Sequence, residues 1–278
     1  MKARFFYAFL MLCLLAATCL LYGFFIEPKR LIMRDVSIQS SHYSGDPLKL
    51  VFITDIHIAG FHTPTERIYQ IVDKVNEVEA DLILIGGDFI DGHIPRAKSS
   101  VEFNAEIEIG LDLIGTLRAK TNGAVYTVMG NHDNWYDPNF ITQTLNQSGV
   151  HVLNNQGVMQ GGLCVIGIED FATGKPSSDG YKDCSTDAIK IAVTHSPDGF
   201  SYLSSDTALA VAGHTHGGQI NLPLLGRRVT KTRSGKALAY GLKSVGETPV
   251  FISAGIGTSL MPARFRAPPE IVVINLSN

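Results

Sequence analysis

Short apolar runs recur along the chain, and each gives way to a glycine, a carboxylate or a histidine. They are Lys49-Leu50-Val51-Phe52-Ile53-Thr54, Leu82-Ile83-Leu84-Ile85, Val125-Tyr126-Thr127-Val128-Met129, Ile189-Lys190-Ile191-Ala192-Val193-Thr194 and Ala208-Leu209-Ala210-Val211-Ala212. Such runs predict strands buried on both faces. Leu163–Ile168, 250–253 and 271–274 read as further strands. Helical spacing alternates with them. Thr63-Pro64-Thr65-Glu66 reads as a capping box with proline at the first helical position. It opens a helix with Ile68, Ile71, Val72, Val75 and Val78 on one core-facing side. A second helix is expected over 101–119, with Phe103, Ile107, Leu111, Ile114 and Leu117 apolar, and a third from Pro138 to near Gly149. Residues 171–187, rich in Ser, Gly, Asp and Lys, read as a surface loop.

The first apolar segment is of another kind. Lys2 and Arg4 precede an uncharged stretch from Phe5 to Ile26, closed by Glu27-Pro28-Lys29-Arg30. A bilayer span needs about 20 residues, whereas a signal-peptide core is about 7–15 residues. Bulky Phe24-Phe25-Ile26 offers no small-x-small cleavage site. The expectation is a retained single-pass anchor, as in a bacterial inner membrane. Positive residues flank both ends, so charge does not set the orientation. The chain thus divides into 1–30, an anchor with its flanks; 31–47, a connector; and 48–278, one catalytic domain.

Net charge is −3 over 278 residues, unlike the strongly basic surfaces that bind nucleic acid, so no nucleic-acid partner is expected. Of 4 cysteines, Cys13 and Cys19 lie in the apolar segment. Cys164 and Cys184 remain, too few for a disulfide framework and outside any metal motif.

Chemistry enters where the runs end. Asp55-Ile56-His57, Gly86-Gly87-Asp88-Phe89-Ile90-Asp91, Gly130-Asn131-His132-Asp133, His195 and Gly213-His214-Thr215-His216 each follow one apolar run. Ligand-type residues at the carboxyl ends of several strands of a sheet converge on one crevice. Oxygen and nitrogen donors with a carboxylate able to bridge suit a pair of divalent cations.

These five motifs, in this order, resemble the calcineurin-like metallophosphoesterase superfamily. His214-Thr215-His216-Gly217-Gly218-Gln219-Ile220, Leu222-Pro223, Gly255-Ile256-Gly257-Thr258, Pro262, Arg264-Phe265 and Pro268-Pro269-Glu270-Ile271 are similar to its membrane-associated YkuE/YaeI-type phosphodiesterase subgroup. The resemblance covers roughly 48–276. It implies an α/β fold, a four-layer α/β/β/α sandwich, here preceded by one transmembrane helix. It implies two divalent metal ions, of manganese, zinc or iron. One would be held by Asp55, His57, Asp88 and His216, the other by Asp88, Asn131, His195 and His214. His132 would assist the leaving oxygen, oriented by Asp91, with Asp133 the competing orienting carboxylate. Thr194 stands before His195 where many relatives have glycine, which removes no ligand. The implied reaction is hydrolysis of a phosphodiester or pyrophosphate bond. The anchor suggests a membrane-proximal or lipid-linked phosphate ester as substrate, such as UDP-2,3-diacylglucosamine, cleaved by a monomeric enzyme. A phosphomonoesterase would use the same metals. A scaffold without turnover would lack ligands or the acid histidine, all of which are here.

Other residues carry less. His93, close to Asp91, is a candidate for the site's lining, and His42, His62 and His151 are expected in solvent. Arg264 could meet a phosphate or fix a loop, Arg227-Arg228 read as a solvated pair, and Asp170 is given no role.

Overall fold

The computed structural model describes residues 2–91, 101–120, 124–227 and 230–278. His93 and Arg228 lie outside them. In chain order the first strands are β1 (Ile32–Gln39), β2 (Leu48–Ile53), β3 (Leu82–Ile85), β4 (Val125–Thr127) and β5 (His151–Val152). Next come β6 (Gln156–Gln160), β7 (Leu163–Ile168), β8 (Ile189–Thr194) and β9 (Thr207–Ala212). The last are β10 (Asn221–Leu222), β11 (Gly226–Arg227), β12 (Gly241–Val245), β13 (Thr248–Ile252) and β14 (Glu270–Ser277). The helices are α1 (Lys2–Leu21), α2 (Thr65–Asn76), α3 (Val101–Ile114), α4 (Asn131–Tyr136) and α5 (Pro138–Gln147).

Two six-stranded sheets form, in the orders β1-β14-β2-β3-β4-β5 and β12-β13-β9-β8-β7-β6. Successive residues of a strand point to opposite faces, and in β2 both sets are apolar. Phe52, with Leu84 and Tyr126, packs inward against Val165, Ile191, Val193, Leu209, Val211 and Phe251 of the second sheet. Val51 and Ile53, with Ile83 and Ile85, pack outward against Ile68, Ile71 and Val75 of α2 and Ile107, Leu111 and Ile114 of α3. That double burial is why the runs are continuous rather than alternating. The second sheet's outer face, with Ile166, Ala192, Ala210 and Ile252, is covered by Phe200 and its neighbours. Among the described residues this fourth layer holds short 3-10 turns, Asp179–Asp183 and Pro197–Tyr202, rather than α-helices.

Strands β2, β3 and β4 are parallel to one another, as are β7, β8 and β9. Their carboxyl ends therefore present Asp55, Asp88, Asn131, His195 and His214 along one edge of the sandwich.

Four expectations need correction. The segment 31–47 is not a connector, because β1 adds in parallel to β14 along its whole length. The capping box does not form. Thr63 turns its hydroxyl to the His57 carbonyl, and α2 starts after an N-cap at Pro64 without a side-chain cap. The second helix ends at Ile114, and Leu117 is buried beyond it in a turn, its N–H donating to the Ile114 carbonyl (3.1 Å). Cys164 of β7 and Cys184 of the 171–187 loop form a disulfide, Cα–Cα 5.6 Å.

Helix α1 buries none of its residues in the domain. It continues through a π-helical turn (Tyr22–Ile26) and a 3-10 turn (Glu27–Lys29). There the chain meets the 264–267 segment: Arg264 N–H donates to the Gly23 carbonyl (2.9 Å) and Ala267 N–H to Glu27 Oε1 (2.6 Å). The apolar helix is long and apolar enough to cross a membrane.

Candidate metal centre

The strands do not stop cleanly before the motifs. Asp55 N–H donates to the Gly87 carbonyl (2.9 Å) and His57 N–H to the Asp88 carbonyl (3.0 Å), so two motif turns lie side by side beyond β2 and β3. Two close approaches admit only glycine. A Cβ on Gly130 would overlap the Asp88 carboxylate, and one on Gly213 would overlap Thr54 and Asp55. The motif backbones are also unusual: Asp55, His57, Asp88, His214 and His216 all hold left-handed φ, +52°, +52°, +52°, +66° and +50°. L-residues avoid that region at a cost of about 1–2 kcal/mol each. Clusters of such residues occur where surrounding structure over-determines them, as at binding sites.

The side chains meet in two groups joined by one carboxylate. In the first, His216 Nε2 lies 3.4 Å from Asp55 Oδ1 and 3.3 Å from His57 Nε2. In the second, His195 Nε2 lies 3.1 Å from Asn131 Oδ1 and 3.1 Å from His214 Nδ1. Asp88 stands between them. Its Oδ1 accepts the His132 N–H (2.9 Å), and its Oδ2 lies 3.8 Å from His57 Nε2 and 3.3 Å from His195 Nε2. The structure thus brings together all seven residues expected as ligands, Asp55, His57, Asp88, Asn131, His195, His214 and His216. All are buried except His214, which is partly so.

With each imidazole neutral, this arrangement is left unsatisfied. His195 Nδ1 lies 2.7 Å from the Gly86 carbonyl, an acceptor only, so it carries the hydrogen. His214 Nε2 likewise faces the Lys231 carbonyl at 3.3 Å. Their other nitrogens, left as lone pairs, then face each other and the oxygens of Asn131 and Asp88. His57 Nδ1 and His216 Nδ1 are buried without a partner among the described residues. Acceptors aimed at acceptors demand positive charge between them. The electrostatics say the same. Burial opposes charge on His195, yet Asp88, Asp55 and Asp170 hold its pKa well above the usual value. Burial would raise Asp88, but His195, His132 and His57 hold it well below the carboxylate range. Burial and His57 push His216 well down, and burial and His195 push His214 down. The 3.1–3.4 Å separations match the edges of a coordination polyhedron with bonds of about 2.1 Å. The donor set fits divalent cations such as manganese, zinc or iron.

His132, the second residue of α4, lies beside this cluster. Its ring lies 4.7 Å from that of His57 and 5.1 Å from that of Trp135, and its Nδ1 is 3.9 Å from Asp91 Oδ1. Geometry alone would also let it join His57 and Asp88 around an ion. Asp133 points elsewhere. Its Oδ1 accepts the N–H groups of Phe89 (2.8 Å) and Ile90 (3.3 Å), and its Oδ2 that of Gly130 (2.9 Å). Burial and the Asp88 charge push it up to about 7.

Arg264 is fully buried and meets no phosphate. It donates to the carbonyls of Gly257 (3.0 and 2.5 Å), Ala267 (2.8 Å) and Ala254 (2.8 Å), fixing the turn behind Asp55. Glu270 braces the same turn, accepting from Ser253 Oγ (3.1 Å), Ala254 N–H (2.9 Å), Arg34 Nε (2.5 Å) and Tyr240 Oη (2.8 Å). Arg227 packs over the Tyr240 ring at 4.4 Å rather than in free solvent. His62 is buried, 2.8 Å from the Pro262 carbonyl, and His42 is half-buried, whereas His151 is exposed. Two residues beside the centre have no role assigned from sequence, Asp170 and Lys231. Asp170 is buried, and its Oδ2 accepts from Ala172, Thr173 N–H and Thr173 Oγ1. It follows β7 as the ligands follow their strands, which is the signal that could have found it. Lys231 lines a cavity shared with His214 and His216, and no motif surrounds it.

Comparison with known proteins agrees with the geometry. The family model described as calcineurin-like phosphoesterase matches residues 48–218. A metallophosphoesterase of Helicobacter pylori strain J99 is 30% identical, over 82% of this chain and 60% of its own. This chain thus spans about three fifths of that relative's length. Metallophosphoesterase YkuE of Bacillus subtilis is 27% identical over 92% of this chain and 89% of its own, and phosphodiesterase YaeI of Escherichia coli is 26% identical over 83% and 82%.

Proposed function

The chain belongs to the calcineurin-like phosphoesterase family; from that premise we propose that it is a metal-dependent hydrolase that cleaves a phosphodiester or pyrophosphate bond in a membrane-proximal substrate. The observation that carries the reading is the pair of lone-pair clusters joined at Asp88. In this reading Asp55, His57, Asp88 and His216 hold one divalent cation, and Asp88, Asn131, His195 and His214 the other. Two such cations supply Lewis-acid charge at the phosphoryl oxygens and make water a nucleophile at neutral pH.

The chain's own residues do the rest. Gly86 and the Lys231 carbonyl fix the tautomers of His195 and His214, so that their lone pairs face the centre. The His132 backbone is held by Asp88 Oδ1, and in this reading its imidazole gives a proton to the departing oxygen. Asp91 is the positioning residue in this reading, its Oδ1 3.9 Å from His132 Nδ1. The apolar helix gives a membrane address, and a lipid-linked substrate, of which UDP-2,3-diacylglucosamine is one instance, suits that address. The Cys164–Cys184 bond favours a catalytic domain on an oxidising side of the membrane.

The test uses the full chain in detergent with manganese. Bis(p-nitrophenyl) phosphate should be hydrolysed faster than p-nitrophenyl phosphate; the reverse order makes the protein a monoesterase. His132→Ala should keep its metal and lose about 10²–10⁴-fold on an unactivated alkyl diester. It should lose much less on the nitrophenyl diester, whose leaving group needs no proton. Equal losses on both, or lost metal, would remove the acid role.

A further inference from the structure

We infer that the apolar cavity opening on His214 and His216 seats an aliphatic chain carried by the phosphoester substrate itself. This rests on the phosphoesterase reading and names what lies beyond the phosphate. The cavity, about 260 Å³, is walled by Ile220, Leu222, Leu260 and Met261, with the two histidines of the metal centre among its lining residues. A substrate phosphate held at the centre would therefore have apolar surface beside it.

The wall is built rather than incidental. The Gln219 side chain ties its two parts together, Nε2 donating to the Met261 carbonyl (2.7 Å) and Oε1 accepting the Ser259 N–H (2.9 Å). The Gln219 carbonyl accepts the Phe265 N–H (3.0 Å). Yet the rim stands in water: Leu260 is 70% exposed, Met261 46% and Leu222 38%. Clustered exposed apolar side chains mark binding surfaces, and here the cluster adjoins a reaction centre. Lys231 is the one charged non-histidine side chain of the described lining. Its side chain is exposed, so the ammonium stays in reach of solvent and ligand alike. A cation in the lining of an apolar cavity complements a phosphate that bears an apolar tail.

The occupant's source is adjacent. The segment forming one wall runs on to Arg264, bonded to Gly23, and to Phe265, whose ring meets Tyr22 edge-on at 6.2 Å. The cavity thus borders the place where the apolar helix leaves the domain. A chain drawn from a bilayer needs to travel little to reach it.

Methyl-, butyl- and hexylphosphonate test this as inhibitors of bis(p-nitrophenyl) phosphate hydrolysis by the full, manganese-loaded chain at one detergent concentration. The inhibition constant should fall about three- to fourfold per methylene until the cavity fills. Leu260→Glu and Leu222→Glu should flatten that series, while Leu242→Glu, on the edge strand β12, should leave it steep. A second measurement needs no turnover. Alkylation of Leu260→Cys, read by mass at that residue, should slow with hexylphosphonate and not with methylphosphonate. A flat series in the wild type, equal slopes in all variants, or labelling indifferent to chain length overturns the inference. Absent hydrolysis with any divalent metal instead overturns the phosphoesterase reading, and the labelling arm still reads the cavity.

Discussion

His216 offers a way to separate the backbone's contribution at the metal centre from the ligand's. Its φ of +50° is left-handed, a region that glycine enters freely and alanine does not. His216→Ala and His216→Gly both remove the imidazole and the same crowding against His57. They differ in one respect that matters, the strain of a Cβ at that φ. The difference should favour glycine by about 1 kcal/mol, the lower end of the cost for an L-residue there. For a domain of this size that is about 2–4 °C in melting temperature. The assay is thermal unfolding of both variants in the same detergent with excess chelator, so that lost metal affinity contributes nothing. Gln70, exposed within α2, serves as the control, because there alanine should exceed glycine by about 0.8–1 kcal/mol. The sign must therefore invert between positions 216 and 70. An alanine variant at 216 as stable as the glycine variant, or more so, would refute strain at the ligand turn.

Three further outcomes are expected. Asp88→Asn should lower metal content below two equivalents and abolish most turnover, because one carboxylate serves both clusters; full metal by elemental analysis with normal rates would sink the bridging role. Cys164→Ser should cost about 3 kcal/mol in denaturant unfolding, the value for closing a loop of this order, and reductant should impose the same loss on the wild type; unchanged stability under reductant would contradict the bond. A chain beginning at residue 48 should be less stable than one beginning at 31, since it forfeits β1 and the buried Ile38, worth about 1.5–3 kcal/mol for that side chain alone. Hydrogen exchange along β14 should accelerate in the shorter chain, and equal protection in both would show that β1 adds nothing.

The strands and motif turns were legible because burial on both faces leaves a continuous apolar run, and because ligands follow such runs directly. The edge strand was not. In β1 apolar Val36 and Ile38 alternate with Asp35, Ser37 and Gln39, and its partner β14 begins beyond residue 269. Alternation that short looks like loop unless the partner is known. The Cys164–Cys184 bond was hidden for the same reason, since it joins a strand to a loop whose path the sequence does not state. Thr63 fitted a capping pattern, but a hydroxyl goes to the nearest strong acceptor, here the His57 carbonyl. The choice between Asp91 and Asp133 turned on backbone N–H groups that only the folded turns bring to Asp133. Lys231 sits in a segment without periodicity, and its place follows from the packing of neighbouring turns.

The junction between the apolar helix and the sheet has a consequence for how the enzyme searches. Gly23 and Glu27 are bonded to the 264–267 segment, and three residues after the last helical turn the chain is already strand β1. No slack tether intervenes. With that helix lodged in a bilayer, the domain could neither swing nor tumble independently, and the metal edge would keep a fixed height and tilt above the lipid. Encounter would become a two-dimensional walk. Reach would then act as a filter of its own, admitting phosphates displayed at that height and passing over chemically identical ones held nearer the surface or farther into the solvent.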